Sequence, residues 1–273
     1  MRTLEGKVVA LTGAGSGIGR ALAIMLSKAE CKLALADINP ESLKDTCELL
    51  PEDTESYCQA IDVSDPDQVQ NFADTTAEHF GQVDIIINNA GVFLSQSIAD
   101  LSIKEMKWLM DINFWGIVYG CKSFLPYLQK QNDAHIVNIS SIFGLVTTPN
   151  QSAYCASKFA VRGFTETLRQ ETKHTGIHVS CVIPGGIKTN IVRNGRFFTG
   201  PNEDSTRDKA AQRFEEMATI SPERAAQVII NGILSNRKRI FIGPDTRLID
   251  IASRLLPVRC EAILGKGLKG VLN

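Results

Sequence analysis

Two hydrophobic periods alternate along this chain, and that alternation constrains its fold more than any other feature. Short apolar runs rich in Val, Ile and Ala recur between longer stretches of helical pattern. Strands are predicted over 7–12, 32–36, 56–61, 83–88, 135–140, 177–184 and 239–242. Helices are predicted over 17–29, from Asn39-Pro40-Glu41 onward, from Ser64-Asp65-Pro66-Asp67 to Gly81, from Ser102 towards Gln129, over 152–174, and after Ser221-Pro222-Glu223. Asn followed by Pro at the first helical position starts a helix well. Ser102 with Glu105 three residues on forms a capping box. Strand–helix–strand alternation requires parallel strands joined by right-handed crossovers. The apolar runs predict strands buried on both faces, with helices covering each side. The expected fold class is therefore α/β: a single-domain, doubly wound parallel sheet of about seven strands, with helices on both faces.

The 273 residues suit one large α/β domain. Residues 1–245 read as the main domain, including an irregular polar segment at 188–220, and 246–273 as a C-terminal helical extension packed on the same domain or on a partner subunit. Hydrophobic residues make up 44% of the chain, enough for a sizeable core and against disorder. The net charge of −1 gives no electrostatic case for nucleic acid. No apolar run approaches a membrane span, and no signal-like segment opens the chain, so a soluble cytoplasmic protein is expected. The seven cysteines form no C-x-x-C pair and are expected as reduced thiols. Neither they nor the four histidines show metal-ligand spacing, so no metal is expected.

Between the first strand and first helix lies Thr12-Gly13-Ala14-Gly15-Ser16-Gly17-Ile18-Gly19. Small residues there let backbone approach a pyrophosphate, and the free N–H groups of the helix start stabilise its charge. This is a Rossmann-like dinucleotide loop. Asp37 stands 18 residues beyond Gly19, at the end of the second strand, where a carboxylate accepts hydrogen bonds from adenosine ribose hydroxyls and repels a 2′-phosphate. No basic residue immediately follows it, and position 16 is Ser. NAD is therefore expected over NADP.

Tyr154 and Lys158 lie four apart near a helix start, hence on one face. A neighbouring ammonium favours the phenolate. Such a Tyr can take a proton from an alcohol or give one to a nascent alkoxide. Further short segments accompany the pair: Asp62-Val63, Asn88-Asn89-Ala90-Gly91, Asn138-Ile139-Ser140-Ser141, and Pro184-Gly185-Gly186-Ile187-Lys188-Thr189.

With these segments in this order, the chain resembles the short-chain dehydrogenase/reductase family from Lys7 to about Ile242. The resemblance implies Tyr154 as general acid/base, with Lys158 holding the nicotinamide ribose and depressing the Tyr154 pKa. Ser141, 13 residues before Tyr154, would hydrogen-bond the reacting oxygen rather than Ser140. Asn113 would position a water in a proton relay to Lys158. Gly13, Ser16, Gly17, Ile18 and Gly19 would cradle the cofactor phosphates, with Asp37 on the ribose and Asp62 and Val63 at the adenine. Asn89, Ala90 and Gly91 would line the adenosine side, and Pro184, Gly185, Ile187 and Thr189 the carboxamide side. The reaction implied is hydride transfer between nicotinamide and a secondary alcohol or ketone, in a homo-oligomer built through the long helices around 102–129 and 152–174.

The substrate is less defined. Ile191, Val192, Phe197, Phe198 and Met217 with Ile142, Phe143, Val146 and Gly186 either line an apolar pocket, favouring a lipophilic substrate, or seal a loop against the core. Leu248, Ala252 and Leu255 form a helical stripe with Ile249 and Leu256, followed by a tail carrying Arg259, Lys266 and Lys269. This extension reads as docked on its own core or a partner subunit, as a lid on the pocket, or as a peripheral membrane contact. Two other functions fit parts of the pattern. An NADPH-dependent 3-oxoacyl-type ketoreductase is opposed by Asp37, and a non-catalytic NAD-sensing protein by the Asn113, Ser141, Tyr154 and Lys158 set.

Overall fold

A computed structural model of the chain describes Met1, residues 3–198 and residues 206–259. Strands β1 (Val8–Thr12), β2 (Lys32–Asp37), β3 (Ser56–Ala60), β4 (Ile85–Asn88), β6 (Ala134–Ile139), β7 (Ile177–Pro184) and β9 (Arg239–Ile242) form one sheet in the order β3-β2-β1-β4-β6-β7-β9. Every pairing in it is parallel. This is the doubly wound, Rossmann-like arrangement, with seven strands. The order reverses between β1 and β4, which opens a crevice at their carboxyl ends, the usual ligand position in such sheets. β5 (Leu94–Ser95) and β8 (Arg196–Phe197) form a separate two-stranded parallel sheet.

Helices α1 (Gly17–Ser27) and α8 (Pro222–Leu234) cover one face; Leu22, Leu26, Ile229 and Ile233 pack there against Val9, Leu11 and Leu33. Helices α3 (Pro66–Phe80), α5 (Gly116–Leu128) and α6 (Ser152–Glu171) cover the other, where Phe72 and Phe124 meet edge to face over Ile86 and Ile136. The expected caps are made. Asn39 accepts from Ser42 N at the head of α2 (Pro40–Glu48), Asp65 accepts from Asp67 N and Gln68 N, and Gly81 ends α3 at a left-handed φ of 77° that favours glycine.

Several expectations are corrected. The helix from Ser102 runs unbroken to Leu128 as expected, but a π-helical turn at Asp111–Trp115 divides it into α4 (Ile103–Met110) and α5. β3 is not buried on both faces, because it is the sheet's edge and exposes alternate residues. The cysteines are not all isolated from one another: Cys47 of α2 and Cys58 of β3 are paired in space, while Cys31, Cys121, Cys155 and Cys181 are free and buried. Spacing cannot reveal this pair, since the crossover brings α2 back over β3. The C-terminal helix α9 (Pro244–Leu255) does not bury its stripe as a unit. Ile249 and Ala252 pack against Cys181, Ile183 and Phe241, whereas Leu248 and Leu255 are exposed. The tail bearing Lys266 and Lys269 lies outside the described residues.

Candidate active site

The Gly-rich loop is shaped by close contacts that exclude side chains. A Cβ on Gly19 would fall on the Gly13 carbonyl, and one on Gly13 would lie 2.8 Å from Ala90 Cα. Gly13 also holds a φ of 66°. One on Gly15 would meet the Asp37 carboxylate at 2.9 Å. Asn89 ties the loop to β4: its Nδ2 donates to the carbonyls of Thr12 and Gly13, both at 3.0 Å. The Thr12 hydroxyl accepts from the backbone N–H groups of Asn89 and Ala90, both at 3.1 Å. At the start of α1, Ser16 makes no side-chain cap bond, so the helix presents its first N–H groups to the crevice. That is the donor set a pyrophosphate needs.

Asp37 accepts from Gly15 N at 2.8 Å through Oδ2 and from Asn39 N at 3.0 Å through Oδ1. Each carboxylate oxygen keeps a further lone pair. Asp62 accepts from the Ser64 N–H and hydroxyl through Oδ1, and Val63 abuts Gly116 of α5. On the opposite side, Gly185 N donates to Ile242 O, and Gly186 faces Ala218. Ile187 is buried and bridges Ile220. The Thr189 methyl lies 3.1 Å from where a Cβ on Gly17 would stand, so the Pro184–Thr189 segment closes over the loop. Together these residues fit a dinucleotide laid across the switch point.

The chemical end is assembled from three elements. Ser141 follows β6, Tyr154 and Lys158 sit on α6, and Asn113 lies in the π-turn. Ser141 hydrogen-bonds the Tyr154 phenol. Ser140 instead turns away and donates to the Lys158 carbonyl at 2.8 Å. Lys158 Nζ stands 5.7 Å from the Tyr154 ring centre and donates to Ile139 O at 3.1 Å. Asn113 accepts from Val92 N at 2.7 Å and donates to Val92 O at 2.9 Å and to Ser157 at 3.4 Å. Its side chain is therefore a clamp on the segment after Gly91. A Cβ on Gly91 would lie 3.2 Å from the Asn113 side-chain oxygen and 3.6 Å from Lys158 Nζ, so both groups border this glycine.

Burial pushes the Tyr154 pKa up to about 12, with the Ser141 hydrogen bond pulling the other way. Burial also lowers the Lys158 pKa to about 8. The two shifts have one cause: both charged forms lose water. Without a second cation, Tyr154 is a neutral proton donor at neutral pH.

Around Tyr154 lies an apolar cluster of Phe93, Leu109, Phe143, Ile191, Val192 and Phe197. The Phe93 and Phe143 rings stand edge-on to Tyr154 at 5.4 and 6.3 Å. Ile142 and Val146 instead join the cluster over β7 and α9, and Phe198 and Met217 are exposed, so these four do not share the wall with Phe143. Sequence reasoning missed Phe93, which carries no motif of its own, and the Thr12 hydroxyl, which does sit in the loop it names.

The sequence profile of the short chain dehydrogenase family matches residues 7–197. The chain belongs to the short-chain dehydrogenase/reductase family, and it is an oxidoreductase of that family. A Mycobacterium tuberculosis protein bearing the name "Putative oxidoreductase SadH" is 40% identical over 271 residues, 98% of this chain and 97% of its own length. Human estradiol 17-beta-dehydrogenase 11 is 31% identical over 269 residues, 96% of this chain and 83% of its own. Among solved structures, a short chain dehydrogenase/reductase from Burkholderia phymatum in complex with NAD superposes with a TM-score of 0.86 at 30% identity, covering 95% of this chain and 97% of that one.

Proposed function

We propose that this protein transfers a hydride between NAD and a lipophilic secondary alcohol or ketone, with Tyr154 as general acid/base. The observation that carries the reading is the buried Ser141–Tyr154–Lys158 group beneath an apolar cluster, beside a loop suited to a pyrophosphate. A bound nicotinamide supplies or accepts the hydride. Ser141 and Tyr154 hydrogen-bond the reacting oxygen, and Tyr154 passes the proton. Lys158 contributes positive charge that stabilises the phenolate, and burial strengthens that effect by removing competing water. Asn113 holds Val92, and through it Phe93, against the Tyr154 ring.

Asp37 supports NAD over NADP, since a 2′-phosphate beside its carboxylate would meet like charge without a cation to offset it. Arg20, the nearest base along α1, is already bonded to Gly15 O, Ser42 O and Thr46. The NAD in the Burkholderia structure agrees. The lipophilic substrate class rests on the apolar lining of the site and on the steroid alcohol in the human relative's name. Residues 1–245 would carry the reaction and 246–273 would be an accessory extension. A homo-oligomer through α4, α5 and α6 belongs to the same proposal; Trp115, in the turn between α4 and α5, is 43% exposed.

The test is a panel of secondary alcohols, linear and steroidal, offered with NAD or NADP and read as nicotinamide absorbance. Oxidation of apolar members with NAD at least about tenfold more efficient than with NADP is expected. Turnover confined to polyols, or an NADP preference, would overturn the substrate or cofactor assignment respectively.

A further inference from the structure

The segment 191–198 lies in the apolar cluster around Tyr154, yet little backbone holds it there. β8 meets β5 over two residue pairs, Leu94 with Arg196 and Ser95 with Phe197. Arg196 N donates to Phe93 O and Phe198 N to Ser95 O, both at 2.9 Å. Two-stranded ribbons this short are marginal by themselves. Gly195 allows the approach, since a Cβ there would lie 2.7 Å from Phe93 O and 3.0 Å from Ile191 O.

Side chains supply what the ladder lacks: Arg193 makes a solvent-exposed pair with Glu215 at 2.9 Å, and Arg196 makes the tie to the site. The Arg196 guanidinium lies 3.7 Å from the centre of the Trp108 ring, and its Nη1 donates to Glu105 Oε2 at 2.8 Å. Stacking uses the face of the planar group and ion pairing its N–H edge, so both act together. Its anchors are themselves fixed. Glu105 and Trp108 lie on α4, which is capped by Ser102 and runs directly into the π-turn carrying Asn113. The helix that Arg196 grips is thus the one whose end clamps Val92 and leads to Phe93 against Tyr154.

We propose that Arg196 is a positioning residue that sets substrate specificity. By stacking on Trp108 and pairing with Glu105, it holds Val192 and Phe197 over Tyr154 and fixes the depth of the apolar slot for the non-reacting part of the substrate. The substrate class is that of the function proposed above, on which this inference rests. Its consequence is selective. Bulky apolar alcohols touch the segment that Arg196 holds, whereas small ones reach Tyr154 without it.

The experiment compares the full-length enzyme with Arg196→Ala and Arg196→Lys. Hydrogen exchange is followed in peptides covering 92–98 and 191–198, and 2-butanol and 2-decanol are oxidised with NAD. In Arg196→Ala, exchange in both peptides should accelerate about tenfold while β1 is unchanged. KM for 2-decanol should rise about tenfold, with kcat and the 2-butanol KM each within about threefold of wild type. Arg196→Lys keeps the charge but loses the planar stack, so it should fall between. Unchanged exchange in Arg196→Ala would overturn the proposal, as would an equal loss with both alcohols. Exchange needs no turnover: if wild type oxidises neither alcohol, the proposed function falls while the exchange comparison still judges Arg196.

Discussion

The Gly-rich loop proposed to hold the cofactor and the segment proposed to hold the substrate are built in opposite ways. Around Gly13, Gly15 and Gly19, backbone packs on backbone so closely that a single methyl group has no space. Thr12, Asn89 and Asp37 then lock the loop with short hydrogen bonds to main-chain atoms. Across from it, the segment over Tyr154 is held by a two-residue ladder and two arginine ion pairs, Arg193 with Glu215 and Arg196 with Glu105, and Phe198 is left exposed. A charged pyrophosphate needs donors fixed in advance, because a misplaced donor cannot repay the desolvation of the charge. An apolar substrate needs only volume and shape, which softer packing supplies.

The contrast can be broken by overfilling the rigid side. Gly19→Ala should abolish cofactor binding, because relieving the clash with the Gly13 carbonyl moves the loop; the strain is on the order of 1–3 kcal/mol or more. Calorimetric titration with NADH checks this, and near-normal affinity would show that the loop is softer than its packing implies. Asp37→Ser sharpens the comparison through charge, with a hydroxyl left near the Gly15 and Asn39 N–H groups. It removes a charged acceptor worth about 1.5–3 kcal/mol, so the NAD-over-NADP ratio in kcat/KM should fall roughly tenfold to a hundredfold. An unchanged ratio would move cofactor choice elsewhere.

Lys158 yields the smallest effect and the most informative sign. Its folded pKa of about 8 lies below the ordinary value of 10.5, so the native state binds fewer protons than the unfolded chain between those limits. Stability therefore rises with pH across that window, and the burial penalty is present in full below pH 8. Lys158→Met should accordingly stabilise the protein at pH 7 by about 1–3 kcal/mol, after loss of the bond to Ile139 O, while removing activity. The gain should shrink from pH 8 towards pH 10.5. Thermal melts of both proteins across that range check it, and a variant less stable at every pH would contradict the assigned burial cost.

Much of the rigid side is legible in sequence. The Gly13–Gly19 loop, Asp37, and the offsets joining Ser141, Tyr154 and Lys158 are local patterns on strongly periodic elements, and the seven strands follow from apolar runs. The soft side is not. Two-residue strands have no period, so β5 and β8 leave no trace, and Glu105 meets Arg196 across 91 residues. The π-turn is hidden for another reason: its residues read as ordinary helix, and only the fold shows Asn113 turned onto Val92. The Cys47–Cys58 pair likewise depends on how α2 folds back over the next strand, β3, which an 11-residue spacing does not reveal.

The most direct measurement concerns Tyr154. Tyr154→Phe keeps the ring against Phe93 and Phe143 and removes only the phenolic hydroxyl. Turnover of the best alcohol in the panel should fall by about 10²–10⁴-fold, while NADH affinity stays within about threefold of wild type. Turnover near the wild-type rate would contradict the assignment of Tyr154 as the acid/base.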